Sequence, residues 1–126
     1  MTPIEFKIIK NSIGITALEV SQRMDMSLRT AQRVESLNPK TAIAPKPDAI
    51  AWLAGEWGRF ADIISEQMER AEHLQALGEP LEIEVYRDEL QCMTEMGHSL
   101  SQNMALAGHL AMMCTLADFD WVLVEK

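Results

Sequence analysis

The spacing of apolar residues along the chain predicts a mainly helical protein. Segments at about 3–12, 16–24 and 27–37 carry apolar side chains at helical intervals, and Gly14 separates the first two. The stretch 38–48 contains three prolines, and it predicts a loop because proline continues neither a helix interior nor a central strand. The N-terminal part is therefore expected to hold three short helices followed by a loop.

A much longer helix is expected next, from about Pro47 to Leu77, with Gly78 as its stop. Its apolar stripe consists of Ile50, Leu53, Trp57, Phe60, Ile64, Met68, Ala71 and Leu74. A stripe of this length exceeds what a small N-terminal bundle can cover. Part of it is therefore expected to pack on the C-terminal region or on a second subunit, with packing within one chain as the alternative.

The C-terminal region mixes strand and helix patterns. Residues 81–87 and 119–124 alternate or cluster apolar side chains as short strands do, whereas 89–114 has a helical composition with a break near His98. The two strands could pair with each other, or each could add to a partner's sheet. The pattern predicts a mainly α fold with an N-terminal helix-turn-helix bundle, a long connecting helix, and a C-terminal dimerisation region of helices and short strands.

Charge divides the chain at a similar place. From Met1 to Lys46, seven basic and four acidic residues leave a net charge of +3, whereas from Pro47 onward four basic and fifteen acidic residues leave −11. A positive N-terminal part can attract phosphate while the acidic remainder points away from it. The charge thus separates a region at 1–46, which suits phosphate, from a second region at 47–126, with one compact unit as the alternative.

The segment Ile15–Glu35 has the layout of a DNA-binding helix-turn-helix, two short helices joined by a tight turn. Ser27 is a good N-cap for the second helix, in which Ala31 and Val34 can face inward. Arg and Gln read guanine and adenine edges in the major groove, so the expected base-reading residues are Leu28, Arg29, Gln32 and Arg33. Contacts to the DNA backbone are expected from Lys10, Thr16, Ser27, Thr30, Lys40 and Lys46.

These residues resemble the lambda-repressor-like helix-turn-helix family, also called Cro/cI-type or XRE. Thr16 matches the usual opening of the family's first helix, and Ser21 matches its small central residue. Met26 and Ser27 match the turn, and 33–35 matches the end of the recognition helix. The resemblance covers roughly the first half of the chain and implies a DNA-binding fold there.

Three positions depart from that family pattern. Ala17 stands where Gln is usual and lacks a side chain that often touches phosphate, and Val34 stands where Trp is usual. Asp25 replaces the glycine of the turn. We expect Asp25 to adopt the left-handed backbone conformation that the glycine would take.

The stretch SLRTAQRVES at 27–36 also resembles, less specifically, YdiL-like proteins and anti-CRISPR-associated autorepressors. This resemblance implies a homodimeric transcriptional repressor that covers a palindromic operator. The dimer interface is expected at Trp57, Phe60, Ile64 and Trp121. Two alternatives stay open: an antitoxin or adaptor whose acidic C-terminal half binds another protein, and a helical interaction module whose degenerate motif no longer binds DNA.

Other chemistry is not expected from this sequence. The spacings of the three histidines and two cysteines match no zinc pattern, and no nucleophile–base pair or phosphate-binding glycine loop is visible. We therefore expect no metal, cofactor or catalytic activity. The sequence also has no membrane-length apolar segment and no signal-peptide pattern, and Cys92 and Cys114 lie in apolar surroundings. These features predict a cytoplasmic protein with reduced thiols.

Overall fold

A computed structural model describes residues 1–126 and confirms that the chain is mainly helical. Six helices and two strands follow one another as α1 (Pro3–Ser12), α2 (Ala17–Arg23), α3 (Leu28–Val34), α4 (Pro47–Ala76), β1 (Leu81–Val85), α5 (Glu89–Met96), α6 (Leu100–Leu116) and β2 (Trp121–Glu125). The chain divides into two units, Met1–Arg59 and Phe60–Lys126. The division falls within α4, later in the chain than the predicted boundary at Lys46.

Local capping explains where the first helices begin. The Thr2 side chain accepts from the backbone N–H of Glu5, and the Glu5 carboxylate accepts from the backbone N–H of Thr2, which forms a capping box around Pro3. Thr16 caps α2 and Ser27 caps α3 in the same way, each accepting a backbone N–H three residues ahead. The three hydroxyl caps therefore set the starts of all three short helices.

The turn between α2 and α3 depends on a left-handed residue. Asp25 has φ +49°, as expected for the position where the resembled family carries glycine. The backbone N–H of Met26 donates to the carbonyl of Ser21 at 3.0 Å, which closes the end of α2. The core of the first unit consists of Phe6, Ile13, Ile15, Val20, Ala31, Val34, Ala49 and Leu53.

Helix α3 ends earlier than the sequence pattern predicts, at Val34 and not near Leu37. The carbonyl of Arg33, which Leu37 would use in a continued helix, accepts instead from Ile43 at 3.1 Å and from Ser36 at 3.3 Å. The following loop thus replaces one helical turn, and Leu37 is left 64% exposed.

The long helix α4 is confirmed nearly as predicted. Pro47 occupies its first turn, where the missing N–H costs no intrahelical hydrogen bond. Gly78 has φ +72°, and the next residue, Glu79, donates its N–H to the carbonyl of Leu74 at 2.9 Å. This glycine therefore turns the chain out of the helix toward β1.

In the second unit, β1 and β2 pair with each other in a two-stranded parallel sheet. The crossover between them consists of α5 and α6, and Gly97, with φ +74°, separates these two helices. Buried Asn103 ties α6 to the end of β1, since its side-chain oxygen accepts from Tyr86 N at 3.1 Å and its amide donates to Glu84 O at 3.0 Å. None of the helices is both long and apolar enough to cross a bilayer.

Phe60, which was expected at a dimer interface, belongs to the core of the second unit. Its side chain is 7% exposed, and its ring packs edge-to-face against His109 with a centroid separation of 5.6 Å. The prediction for Phe60 is therefore wrong, because an intrachain partner already covers this part of the α4 stripe. Ile64 is half-buried, whereas Trp57 and Trp121 remain 46% and 37% exposed.

Candidate nucleic-acid interface

Helix α3 has one buried face and one exposed face. Ala31 and Val34 are 1% and 3% exposed, in agreement with their expected inward positions. On the opposite side, the helical period places the exposed residues Leu28, Arg29, Gln32 and Arg33 within one arc of the helix. The structure thus brings together the residues predicted to read bases.

The loop after α3 restrains one of these side chains. Arg33 donates from Nε to the carbonyl of Thr41 at 3.1 Å, and the Thr41 hydroxyl lies 2.8 Å from that of Ser36. Asn38 orders the same loop by accepting the backbone N–H of Lys40 at 3.0 Å. The contact holds the Arg33 side chain by one nitrogen and leaves its two terminal nitrogens available to a ligand.

This contact also places Lys40, the neighbour of Thr41, beside the end of α3. We call the exposed set formed by Leu28, Arg29, Gln32, Arg33 and Lys40 the α3 surface. It combines three cations, one amide and one apolar side chain. Such a set can form charge-assisted hydrogen bonds with phosphate and bidentate hydrogen bonds with base edges.

Three of the expected backbone contacts are residues whose hydroxyls already serve as caps or cap partners. Thr16 Oγ1 accepts from Glu19 N at 3.1 Å, and Ser27 Oγ accepts from Thr30 N at 3.1 Å. The Ser27 hydroxyl also donates to Thr30 Oγ1 at 2.9 Å. These contacts hold α2 and α3 in place, so the structure gives the three side chains a positioning role next to the α3 surface.

Lys10 lies elsewhere than expected. Its side chain is 4% exposed, and its ammonium donates to the carbonyl of Ile15 at 3.0 Å and lies 2.6 Å from Oε2 of Glu35. Burial, and next the charge of Lys7, lowers the pKa of this ammonium. A cation committed in this way to the interior does not contact phosphate, so the prediction of a backbone contact from Lys10 is wrong.

Two other cations, Lys46 and Arg23, are exposed, unlike Lys10. Lys46 is exposed, as a backbone-contacting residue must be, and it lies in the loop immediately before α4. Arg23 is also exposed, in the last turn of α2, and is not among the predicted backbone contacts. Its position in the sequence, just before the α2–α3 turn, could have suggested such a contact.

The remaining candidates for chemistry do not converge on a site. No three of the His, Cys, Asp and Glu side chains lie close enough together to hold a metal ion. Burial raises the pKa of both the Cys92 and the Cys114 thiols, which keeps them protonated and unreactive at neutral pH. Comparisons of this chain with protein-family models and with curated proteins found no match.

Proposed function

We propose that this protein is a sequence-specific DNA-binding transcriptional regulator, a homodimeric repressor that reads a palindromic operator. In this proposal α2 and α3 form the helix-turn-helix, and α3 lies in the major groove. The observation that carries the proposal is the division of α3 between a buried face of Ala31 and Val34 and an exposed face of Arg29, Gln32 and Arg33.

The chemistry of that exposed face suits base reading. Arg pairs with the O6 and N7 acceptors of guanine, and Gln pairs with N6 and N7 of adenine, each in a bidentate geometry. Leu28, which is 44% exposed at the start of α3, suits apolar contact with a thymine methyl group.

The charge distribution supports the same proposal after the Lys10 correction. Lys10 and Glu35 neutralise each other inside the fold. Removing both from the count leaves six basic and three acidic residues between Met1 and Lys46, so the net charge there stays at +3. The attraction to phosphate therefore rests on exposed cations, chiefly Arg29, Arg33 and Lys40.

A homodimer follows from the small size of one reading helix. A single helix-turn-helix contacts only a few base pairs, which is too little for selective binding in a genome. Two copies related by a two-fold axis double the contacted sequence and match a palindrome. The second unit supplies surface for such an assembly, since several of its large apolar side chains are exposed, including Met112, Leu116 and Leu123.

The proposal is tested by titrating the full-length protein with labelled random-sequence duplexes at several salt concentrations. We expect binding that weakens steeply with salt. Arg29→Ala should reduce the affinity more than Arg59→Ala, a control with the same charge change, because the Arg59 side chain pairs with Glu56 outside the α3 surface. Equal effects of the two variants, or no binding at low salt, would contradict a role for α3.

A further inference from the structure

Strand β2 is an apolar strand at the edge of the sheet. It pairs only with β1, and its first three residues, Trp121, Val122 and Leu123, are 37%, 42% and 55% exposed. An isolated two-stranded sheet is marginal in water, and an exposed apolar edge is a template for pairing with another strand. Packing of α6 against β1 supports the sheet, but it leaves the apolar edge of β2 open to another strand.

The hydrogen bonds between β2 and β1 show which main-chain N–H and C=O groups of β2 face away from β1. The carbonyl of Asp120 accepts from Leu81 N, and the N–H of Lys126 donates to Val85 O, both at 2.9 Å. Since successive residues of a strand point their main-chain groups to alternate sides, the even-numbered residues of β2 face β1. The N–H and C=O groups of Trp121, Leu123 and Glu125 consequently point to the open edge.

The side chains of Trp121 and Leu123 continue the sheet face on which β1 buries Leu81 and Ile83. In the β1–β2 register Leu81 pairs with Trp121 and Ile83 with Leu123, so paired residues share one face of the sheet. Leu81 and Ile83 are 1% and 3% exposed, while their neighbours on β2 remain uncovered. This face of the sheet is thus buried at Leu81 and Ile83 on β1 and partly exposed at Trp121 and Leu123 on β2.

Helix α6 adds apolar surface beside that edge. Trp121 Nε1 donates to Thr115 Oγ1 at 3.1 Å, which places the last turn of α6 next to β2. The exposed apolar residues on the same side of α6 as Thr115 are Met112 and Leu116, with exposures of 61% and 78%. The strand and the end of α6 together form one apolar border, which we call the β2 edge.

We propose that the β2 edge binds the β2 edge of a second copy of this chain, antiparallel, about a two-fold axis that passes between the two Leu123 residues. In this register Leu123 faces itself, Trp121 faces Glu125, and Val122 faces Val124. Every open N–H and C=O of Trp121, Leu123 and Glu125 then gains a partner. The two sheets merge into a single four-stranded sheet.

Self-pairing is favoured by charge as well as by shape. In the same register Asp120 faces Lys126 of the other copy, which also pairs with Glu84 of its own chain at 3.1 Å, and no pair of like-charged side chains is directly opposed. The neighbouring registers, shifted by two residues, lose one of the hydrogen-bonded pairs and bring Asp120 or Lys126 opposite an apolar valine. The register centred on Leu123 therefore gives each open main-chain N–H and C=O group a partner and places Asp120 opposite a lysine.

The apolar area of the β2 edge is also adequate for a dimer. With about 150–250 Å² for a fully exposed large side chain, the observed exposures amount to roughly 500 Å² per copy. Two copies would bury about 1,000 Å² of apolar surface, which is the lower bound for a specific interface. The inference rests on the homodimeric state in the proposed function, but it does not depend on DNA binding.

Opposite charges at position 123 test the proposed axis, because this residue faces its own copy. Light scattering should give twice the chain mass for the full-length protein and the single mass for Leu123→Lys and for Leu123→Asp. Mixing these two variants should restore a dimer. Leu90→Lys is the control, since Leu90 is 77% exposed on α5 and outside the β2 edge. A Leu123→Lys dimer, or a mixture that stays monomeric, would overturn the strand pairing.

A cysteine at position 123 gives a second test, which detects the dimer directly and does not depend on disrupting it. Directly opposed residues of a hydrogen-bonded antiparallel pair lie about 5.5 Å apart at Cα, which a disulfide can span. Leu123→Cys should therefore form a covalent dimer under mild oxidation, whereas Leu90→Cys should not. Both native cysteines are buried and do not compete. Equal cross-linking of the two variants contradicts the interface, and a covalent dimer that fails to bind DNA contradicts only the proposed function.

Discussion

The ammonium of Lys10 lies 2.6 Å from the carboxylate of Glu35, and this ion pair joins α1 to the C-cap of α3. The two side chains are 4% and 16% exposed. A buried pair of this kind adds little net stability over apolar residues, but removing one partner leaves the other charge without compensation. The pair therefore holds the end of α3 against α1, and neither of its charges is available to a ligand.

Breaking this pair should destabilise the protein without removing a DNA contact. We expect Lys10→Met to lower the free energy of unfolding by about 3–5 kcal/mol, because Glu35 would remain charged in a largely buried position. The double variant Lys10→Met with Glu35→Leu should recover most of that loss. Urea denaturation followed by circular dichroism measures both. A single variant as stable as the wild type would show that the ion pair is absent in solution.

Arg33 should contribute to base specificity. Arg33→Ala should weaken binding to the best duplex by roughly 1–3 kcal/mol and relax the preference at one base position. Arg33→Lys should also relax that preference, because lysine keeps the charge but cannot donate as a planar fork while held at the carbonyl of Thr41. Competition binding against single-base variants of the duplex measures both effects. An unchanged preference in Arg33→Ala would contradict the assignment of α3.

Lys40 should behave differently, as a contact to the DNA backbone. It is exposed on the loop that Asn38 orders, and it carries no geometry suited to one particular base. Lys40→Ala should weaken all duplexes about equally and lower the slope of log affinity against log salt by about one. Arg59→Ala is the control with the same charge change, because Arg59 pairs with Glu56 outside the α3 surface. An effect confined to one sequence would argue against a phosphate contact.

Tyr86 should make the second unit sensitive to alkaline pH. Burial, followed by a hydrogen bond with Glu95, raises the pKa of its phenol above the ordinary value of 10.0. The folded state therefore holds this proton more tightly than the unfolded chain does, so its contribution to stability is complete below pH 10 and falls as pH rises above it. The stability of Tyr86→Phe should fall less steeply between pH 10 and about 11.5. Parallel slopes for the two proteins in denaturant titrations would contradict this account.

Much of the fold could be predicted because local chemistry sets it. The N-cap at Ser27, the stops at Gly78 and Gly97 and the left-handed turn at Asp25 each follow from the residue type. The same holds for the exposed side of α3, since the helical period alone separates Ala31 from the polar residues around it.

Contacts between distant residues could not be predicted in this way. Nothing in the sequence near Lys10 shows that Glu35 will meet it, and an isolated lysine in a basic segment resembles a surface cation. The early end of α3 likewise depends on a hydrogen bond from Ile43. The pairing of β1 with β2 is also non-local, so the pattern left open whether each strand would pair within the chain.

The central claim is that α3 reads DNA sequence, and selection of bound duplexes from a random pool by the full-length protein tests it most directly. We expect enrichment of one palindromic motif, with half-sites about one helical turn apart. A parallel selection with Gln32→Ala should lose the preference at one position in each half-site and retain the others. Recovery of no enriched sequence, or of the same motif with undiminished preference by the Gln32→Ala variant, would contradict the account.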